Sequence, residues 1–334
     1  MQTRKIGING FGRIGRLAMR ELLEHPELEV VAINDLMDVE QLAYLLKYDS
    51  VHGALEHDVQ IKEGSLVVNG RYIRITAIKD AEKLDWGNVG AELILDCTGI
   101  YKEMDTAAKH LKAGAKKVLI SAPSKTAPMY VMGVNHHYLT HEQTIFSNAS
   151  CTTNCLAPMA KIMHDNFGIV EGLMTTIHAA TASQAVIDQG SNKNYRLGRS
   201  ALNNIIPTST GAAIAVTKVI PELEGKLTGM AFRVPIADVS VVDLTVRTEK
   251  STSILEINQT FENASKTNYK GLVCYIDEPL VSQDFVTNTY ICNYDAQASM
   301  ELNPNFFKLI AWYDNEYGYA SKMLDLAVHA LNVG

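Results

Sequence analysis

Lys5-Ile6-Gly7-Ile8-Asn9-Gly10-Phe11-Gly12-Arg13-Ile14-Gly15 decides the fold. The residues up to Asn9 read as a short buried strand, and the glycines that follow sit where the chain must turn sharply. Ile14, Leu17, Ala18, Leu22 and Leu23 then recur at three- and four-residue steps, the period of a helix. A second strand, Glu29 to Asn34, ends at Asp35, about twenty residues beyond the last glycine. Each part has a physical task. Gly10 allows the tight turn, Gly12 lets backbone approach a pyrophosphate, and Gly15 permits close packing of helix on sheet. The Asp35 carboxylate can accept bonds from ribose hydroxyls. The pattern predicts a dinucleotide-binding α/β domain.

Outward from this stretch, strand-like and helix-like segments alternate through the first half. The spacing predicts a helix from about Val39 to Leu46. Leu66 to Val68 and Ile73 to Ile75 flank Asn69-Gly70 and read as a hairpin. Leu93 to Asp96 and Lys117 to Ile120 read as parallel strands ending in the small residues Cys97, Thr98, Gly99 and Ser121, as a cofactor crevice requires. The second half differs. Val239 to Val246 alternates with period two, like an antiparallel strand with one polar face, and Gly172 to His178 and Phe306 to Trp312 look like its companions. Ser321 to Leu331 reads as a closing helix.

Composition narrows the class. The chain has 334 residues, 47% of them hydrophobic, enough for two domains. A net charge of −7 does not indicate a broad nucleic-acid-binding surface. Five cysteines without framework spacing suit free thiols in a reducing compartment. No paired CxxC or HxxH motif suggests a metal. The amino terminus does not read as a signal peptide, and the apolar runs are too short to span a bilayer. The expected location is the cytoplasm, without a membrane partner.

Ser147-Asn148-Ala149-Ser150-Cys151-Thr152-Thr153-Asn154-Cys155 carries the chemistry. It places a thiol among hydroxyls just before the helix-like run Leu156 to Met163. A helix beginning near Cys151 would set the thiol against unpaired N–H groups and the positive end of the dipole, a setting that favours thiolate. The same groups would cradle an anion. Covalent chemistry on an anionic substrate is the reading, with an imidazole as the expected base. Spacing does not choose among the ten histidines. His178 is favoured because it ends an apolar strand and precedes the small residues Ala179 to Ser183.

Taken together, Asn9 to Arg16, Ser147 to Cys155, Asn204 to Ala213, Gly229 to Pro235 and Trp312 to Tyr319 make the chain resemble the phosphorylating glyceraldehyde-3-phosphate dehydrogenases over essentially its whole length. The resemblance implies a Rossmann-type domain, residues 1–150 with a carboxyl-terminal helix at 316–334, and an α+β catalytic domain, 151–315, with a mainly antiparallel sheet. It implies oxidation of glyceraldehyde 3-phosphate by NAD and inorganic phosphate to 1,3-bisphosphoglycerate, in glycolysis or gluconeogenesis. Cys151 would be the nucleophile and His178 the base. Thr181 and Arg233 match the pocket for the substrate phosphate, and Ser150, Thr152, Thr210 and Gly211 the pocket for the attacking phosphate. The backbone of Arg13 and Ile14 would meet the NAD pyrophosphate, Asp35 the ribose, and Lys79 and Ser121 the adenosine and nicotinamide ends. Asn315 would bond the carboxamide, with Tyr319 against the ring. The resemblance further implies a homotetramer. A sister enzyme acting on erythrose 4-phosphate is the alternative; the intact Thr208 to Gly211 and Ala231 to Arg233 segments favour the triose. The chain departs from the family in the loop 188–199, where Gly190 is gained, a proline is lost, and Leu197 replaces an arginine of some bacterial relatives. That loop is expected to be looser.

Overall fold

A computed structural model describes residues 3–182, 184–191 and 194–333. The chain forms two compact units: residues up to Tyr130, His136–Ser150 and from Ala320 on make one, and Val131–Asn135 with Cys151–Tyr319 the other. The segment 131–135 thus leaves the first unit, and the first unit's carboxyl-terminal piece starts at Ala320 rather than 316.

In the first unit the strands are β1 (Arg4–Asn9), β2 (Leu28–Asn34), β3 (Tyr48–Asp49), β4 (Gly53–Ala54), β5 (Val59–Lys62), β6 (Ser65–Val68), β7 (Arg71–Thr76), β8 (Leu93–Asp96), β9 (Lys117–Ile120) and β10 (Ile145–Ser147). Among the described residues all but β3 and β4 form one sheet in the order β10-β9-β8-β1-β2-β7-β6-β5. It is parallel from β10 to β7, and β6 and β5 add antiparallel. The expected Asn69-Gly70 hairpin joins β6 to β7, both turn residues having positive φ. The helices are α1 (Arg13–Leu22), α2 (Val39–Lys47) and α3 (Met104–Lys112). The chain moves from β1 to β2 on one side and later returns to β8 on the other. The β1/β8 boundary is therefore the topological switch point where such sheets bind ligands.

α1 buries Leu17, Ala18 and Leu22, as the period predicts. Each of the two leucines contributes about 1.5–3 kcal/mol of burial, and Leu17→Ala would cost about 2–5 kcal/mol. A polar ladder ties the strand ends beneath the switch point. Asn34 Nδ2 donates to Asn9 Oδ1 at 2.8 Å, Asn9 Nδ2 to Asp96 Oδ2 at 2.8 Å, and Asp96 meets His110 Nε2 at 3.0 Å. All four residues are buried, so this satisfied network specifies how the strand ends align.

In the second unit the strands are β11 (Ile169–Ala179), β12 (Ile206–Ser209), β13 (Leu227–Val234), β14 (Ser240–Thr248), β15 (Val273–Ile276), β16 (Cys292–Asn303) and β17 (Phe306–Tyr313). Among the described residues they order as β12-β13-β11-β14-β17-β16-β15, mainly antiparallel, with parallel pairs at β13/β11 and β16/β15. The companions expected for β14 are its neighbours, β11 and β17. Its alternation is plain: Val242, Leu244 and Val246 are buried between partly exposed residues. Among the described residues the unit's α-helices are α4 (Cys151–Phe167), α5 (Ala212–Val219) and α6 (Ile254–Lys266), and α7 (Tyr317–Asn332) follows β17.

Candidate active site

The thiol is positioned by a bend. After β10, the Ser147 hydroxyl donates to Ala122 O at 2.5 Å and accepts the Ala149 N–H at 2.9 Å. Ala149 takes a φ of +56°, a left-handed conformation costly for any residue with a Cβ. Cys151 is then the first residue of α4, as expected. His178 stands near the end of β11, and its Nε2 lies 3.5 Å from Cys151 Sγ. Register pairs His178 with Arg233 on the parallel neighbour β13. Arg233 NH1 lies 2.6 Å from His178 Nδ1 and donates to Ala179 O at 3.1 Å. Nδ1 itself is 2.8 Å from Ala179 O. Arginine only donates. While Arg233 holds this place, Nδ1 is an acceptor and the ring proton sits on Nε2, facing sulfur.

Burial dominates the electrostatics here. Burial, and next the Arg233 charge, push the His178 imidazole down to about 4. Burial also raises the Cys151 thiol, opposed by Arg233 and by hydrogen bonds from Thr152 and the helix start. Burial thus works against the thiolate that the helix terminus favours. Desolvation outweighs the terminal dipole, whose effect is typically about 0.3–1 kcal/mol.

Two further residues belong to this cluster. Tyr313, 1% exposed, ends β17 with its hydroxyl 2.8 Å from Thr152 Oγ1 and 2.9 Å from Thr176 Oγ1. Its ring stands edge-on to His178, centroids 6.1 Å apart. Ser240 opens β14 and accepts the Ala179 N–H at 3.0 Å. The sequence reading assigned neither a role. Ser240 does leave a signal, a hydroxyl in the same phase as Val242, Leu244 and Val246.

The anion-binding candidates are less gathered. Ser150 is half-buried just before the thiol, whereas Thr152 is 4% exposed and its hydroxyl is engaged by Tyr313. Thr181 begins the loop after β11 and takes a bond from its own N–H to Gln184 Oε1 at 2.9 Å. Thr210 and exposed Gly211 precede α5. Thr210 Oγ1 accepts the Ala212 N–H at 3.2 Å, and neither bonds the thiol cluster among the described residues. In the departing loop an exposed Asp188–Arg199 ion pair and a bond from Gln189 N–H to Gly198 O hold the described parts together, so its described ends are tied. Ser183, Asn192 and Lys193 lie outside the described residues.

The dinucleotide candidates fit their group. Gly10 has a φ of +90°, and a Cβ there would come within 2.8 Å of Thr98 N. A Cβ on Gly15 would collide with Gly10 O, while beside Gly12 the space is open. Gly12 caps α1 without a side-chain bond, so the first-turn N–H groups at Arg13 and Ile14 face an open approach suited to a pyrophosphate. The Arg13 side chain pairs with Asp49. Asp35 Oδ2 accepts the Phe11 N–H at 2.6 Å and Oδ1 the Met37 N–H at 3.0 Å, which fixes the carboxylate beside the glycine turn. Lys79 is exposed, with its carbonyl bonded by Tyr101, and Ser121 N–H donates to Asp96 O at 2.9 Å. Asn315 is buried in the second unit, where its Oδ1 accepts from Ser240. All five cysteines are free, and no helix among the described residues is long and apolar enough to cross a membrane.

Comparison with known proteins agrees with this geometry. Residues 4–104 match the family described as glyceraldehyde 3-phosphate dehydrogenase, NAD binding domain, and residues 150–315 its C-terminal domain. A glyceraldehyde-3-phosphate dehydrogenase 2 of Agaricus bisporus is 55% identical over 323 residues, 96% of each chain. A glyceraldehyde-3-phosphate dehydrogenase of Salmonella typhimurium is 54% identical over 330 residues, 98% of this chain and 99% of its own. A cytosolic one of Chlamydomonas reinhardtii is 54% identical over 327 residues, 97% of this chain and 96% of its own. With both family domains matched in order and these relatives covered almost end to end, the chain belongs to the glyceraldehyde-3-phosphate dehydrogenase family.

Proposed function

We propose that the chain oxidises glyceraldehyde 3-phosphate with NAD and inorganic phosphate to 1,3-bisphosphoglycerate in glycolysis, with Cys151 as nucleophile and His178 as base. Family membership supports the reaction and the cofactor. The relatives named above carry the glyceraldehyde name, which leaves the erythrose 4-phosphate alternative without support. The observation that carries the residue roles is the 3.5 Å approach of His178 Nε2 to Cys151 Sγ at the start of α4.

The chemistry follows from these groups. A substrate phosphate drawn to Arg233 and Thr181 takes the guanidinium off Nδ1. The ring proton can then sit on Nδ1 and be donated to Ala179 O, 2.8 Å away, and Nε2 becomes the acceptor. Nε2 takes the thiol proton as sulfur attacks the aldehyde carbon, and returns it to the oxyanion to complete a thiohemiacetal. Nε2 next removes the hydroxyl proton as the carbon gives up hydride. Gly10, Gly12, Arg13, Ile14, Asp35, Lys79, Ser121 and Asn315 would hold NAD, which would supply the acceptor for that hydride. Phosphate at Ser150, Thr152, Thr210 and Gly211 attacks the Cys151 thioester, and the departing sulfur regains a proton from Nε2.

A homotetramer in the cytoplasm completes the reading, as the family resemblance suggests. The exposed apolar side chains Leu173, Leu202, Ile205 and Met230 of the second unit support association through that unit. The test is NADH formation by purified protein with each aldehyde, NAD or NADP, and phosphate present or omitted. Turnover of erythrose 4-phosphate in preference to the triose would overturn the assignment.

A further inference from the structure

We propose that Ser240 is a positioning residue. It locks the Asn315 amide so that Nδ2, and not Oδ1, meets the ligand, which makes the site selective for a carbonyl oxygen at the carboxamide position. The proposal rests on the reading of Asn315 as the residue that bonds the nicotinamide carboxamide.

Ser240 is 1% exposed and lies in the apolar phase of β14, where an unbonded hydroxyl would be costly. A serine hydroxyl has one proton and two lone pairs. Ser240 accepts the Ala179 N–H at 3.0 Å and lies 2.5 Å from Asn315 Oδ1. That separation belongs to O–H···O bonds, and N–H···O bonds are longer. The hydroxyl therefore donates to Oδ1, and the planar amide turns Nδ2 the other way. Among the described residues Nδ2 has no acceptor, although Asn315 is only 5% exposed.

The corner bearing Asn315 is also fixed. Asp314 Oδ1 accepts the Glu316 and Tyr317 N–H groups at 2.9 and 2.6 Å, and Oδ2 that of Thr287 at 2.7 Å. The backbone cannot turn to compensate for a flipped amide. Because Ala179 directly follows His178, one hydroxyl sets the amide against the strand end that carries the base. Replacing Ser240 by alanine leaves Oδ1 without its donor and removes the preference between the two amide orientations.

The test is equilibrium binding by titration of intrinsic fluorescence, with NAD, its 3-acetylpyridine analogue (carbonyl oxygen kept) and its thionicotinamide analogue (oxygen replaced by sulfur). The proteins compared are the parent, Ser240→Ala, Asn315→Ala and the double variant. Ser240→Ala should weaken NAD and the acetylpyridine analogue about five- to tenfold and the thio analogue less, the loss of one hydrogen bond. The double variant should bind no more weakly than Asn315→Ala alone. Additive losses, or unchanged binding by Ser240→Ala where Asn315→Ala weakens it, would overturn the proposal. Unchanged NAD binding by Asn315→Ala would instead remove the reading beneath it.

Discussion

His178 and Arg233 face each other across paired parallel strands, and the guanidinium lies 2.6 Å from imidazole Nδ1. A permanent cation there works against the imidazolium form, and burial works in the same direction. The imidazole proposed as the base is thus stored uncharged, with its ring proton on the side facing sulfur. The residue proposed to hold the substrate phosphate also sets the tautomer of the base.

Stability should register the buried neutral imidazole. The folded value of about 4 lies below the unfolded value of 6.5, so between them the unfolded chain binds more protons. The stabilisation is complete above about pH 6.5, falls as pH drops toward about 4, and is level below that. The difference amounts to about 3 kcal/mol. Denaturant midpoints of the apo protein should fall between about pH 7.5 and pH 4.5, and His178→Asn should flatten the profile. Parallel profiles would contradict the burial argument. The same variant should lose about 10²–10⁴-fold in kcat.

Alkylation should single out Cys151. Burial, with the neighbouring Asp96, pushes Cys97 up to about 12, and burial raises Cys155 and Cys274 as well. Cys155 and Cys292 are fully buried. Cys151 is partly exposed and has Arg233 and helix-start hydrogen bonds opposing the rise. Brief treatment with substoichiometric iodoacetamide should put the label there, with activity lost in proportion. First labelling of any other cysteine would remove Cys151 as the nucleophile.

Cofactor choice should depend on Asp35. A carboxylate about 4 Å from a 2′-phosphate costs roughly 4 kcal/mol at an effective dielectric of about 20, or about three decades in favour of NAD over NADP. Asp35 also holds the Phe11 and Met37 N–H groups, so its removal does more than discharge the site. Asp35→Asn keeps an acceptor and loses the charge. It should narrow the NADP gap while preserving more thermal stability than Asp35→Gly. Comparable efficiency of the parent with the two cofactors would sink this account.

Local sequence carried most of the first unit. The glycine turn, the 3.6-residue period of α1 and the Asn69-Gly70 turn each act through neighbours in the chain, so Gly10, Gly15 and Asp35 could be placed without coordinates. Cys151 was legible for the same reason, as a thiol before an apolar helix. What sequence hides is register. The meeting of His178 with Arg233 is set by the pairing of β11 with β13, and that of Thr152 with Tyr313 by the packing of α4 on β17, both between segments far apart in the chain. Their effect on charge follows from burial, which no spacing reveals: it raises the Cys151 thiol against the lowering that Arg233 and the helix start supply.

Phosphate should control release of the product. Thr210 and Gly211 stand before α5, where the glycine is exposed and the space beside its Cα is open to an anion, while the Thr210 hydroxyl holds the Ala212 N–H. Thr152, by contrast, spends its buried hydroxyl on Tyr313. Without phosphate, each site should complete one turnover, give a burst of NADH and stall as the thioester apart from slow hydrolysis. Phosphate or arsenate should restore steady turnover. Thr210→Ala should raise the KM for phosphate about two- to tenfold, the loss of one hydrogen bond, with little change in the KM for aldehyde. Thr152→Ala should also lower kcat, because it takes a partner from the phenol beside His178. Steady turnover in phosphate-free buffer would mean that water deacylates Cys151 efficiently, and the anion role of the Thr210 segment would fall.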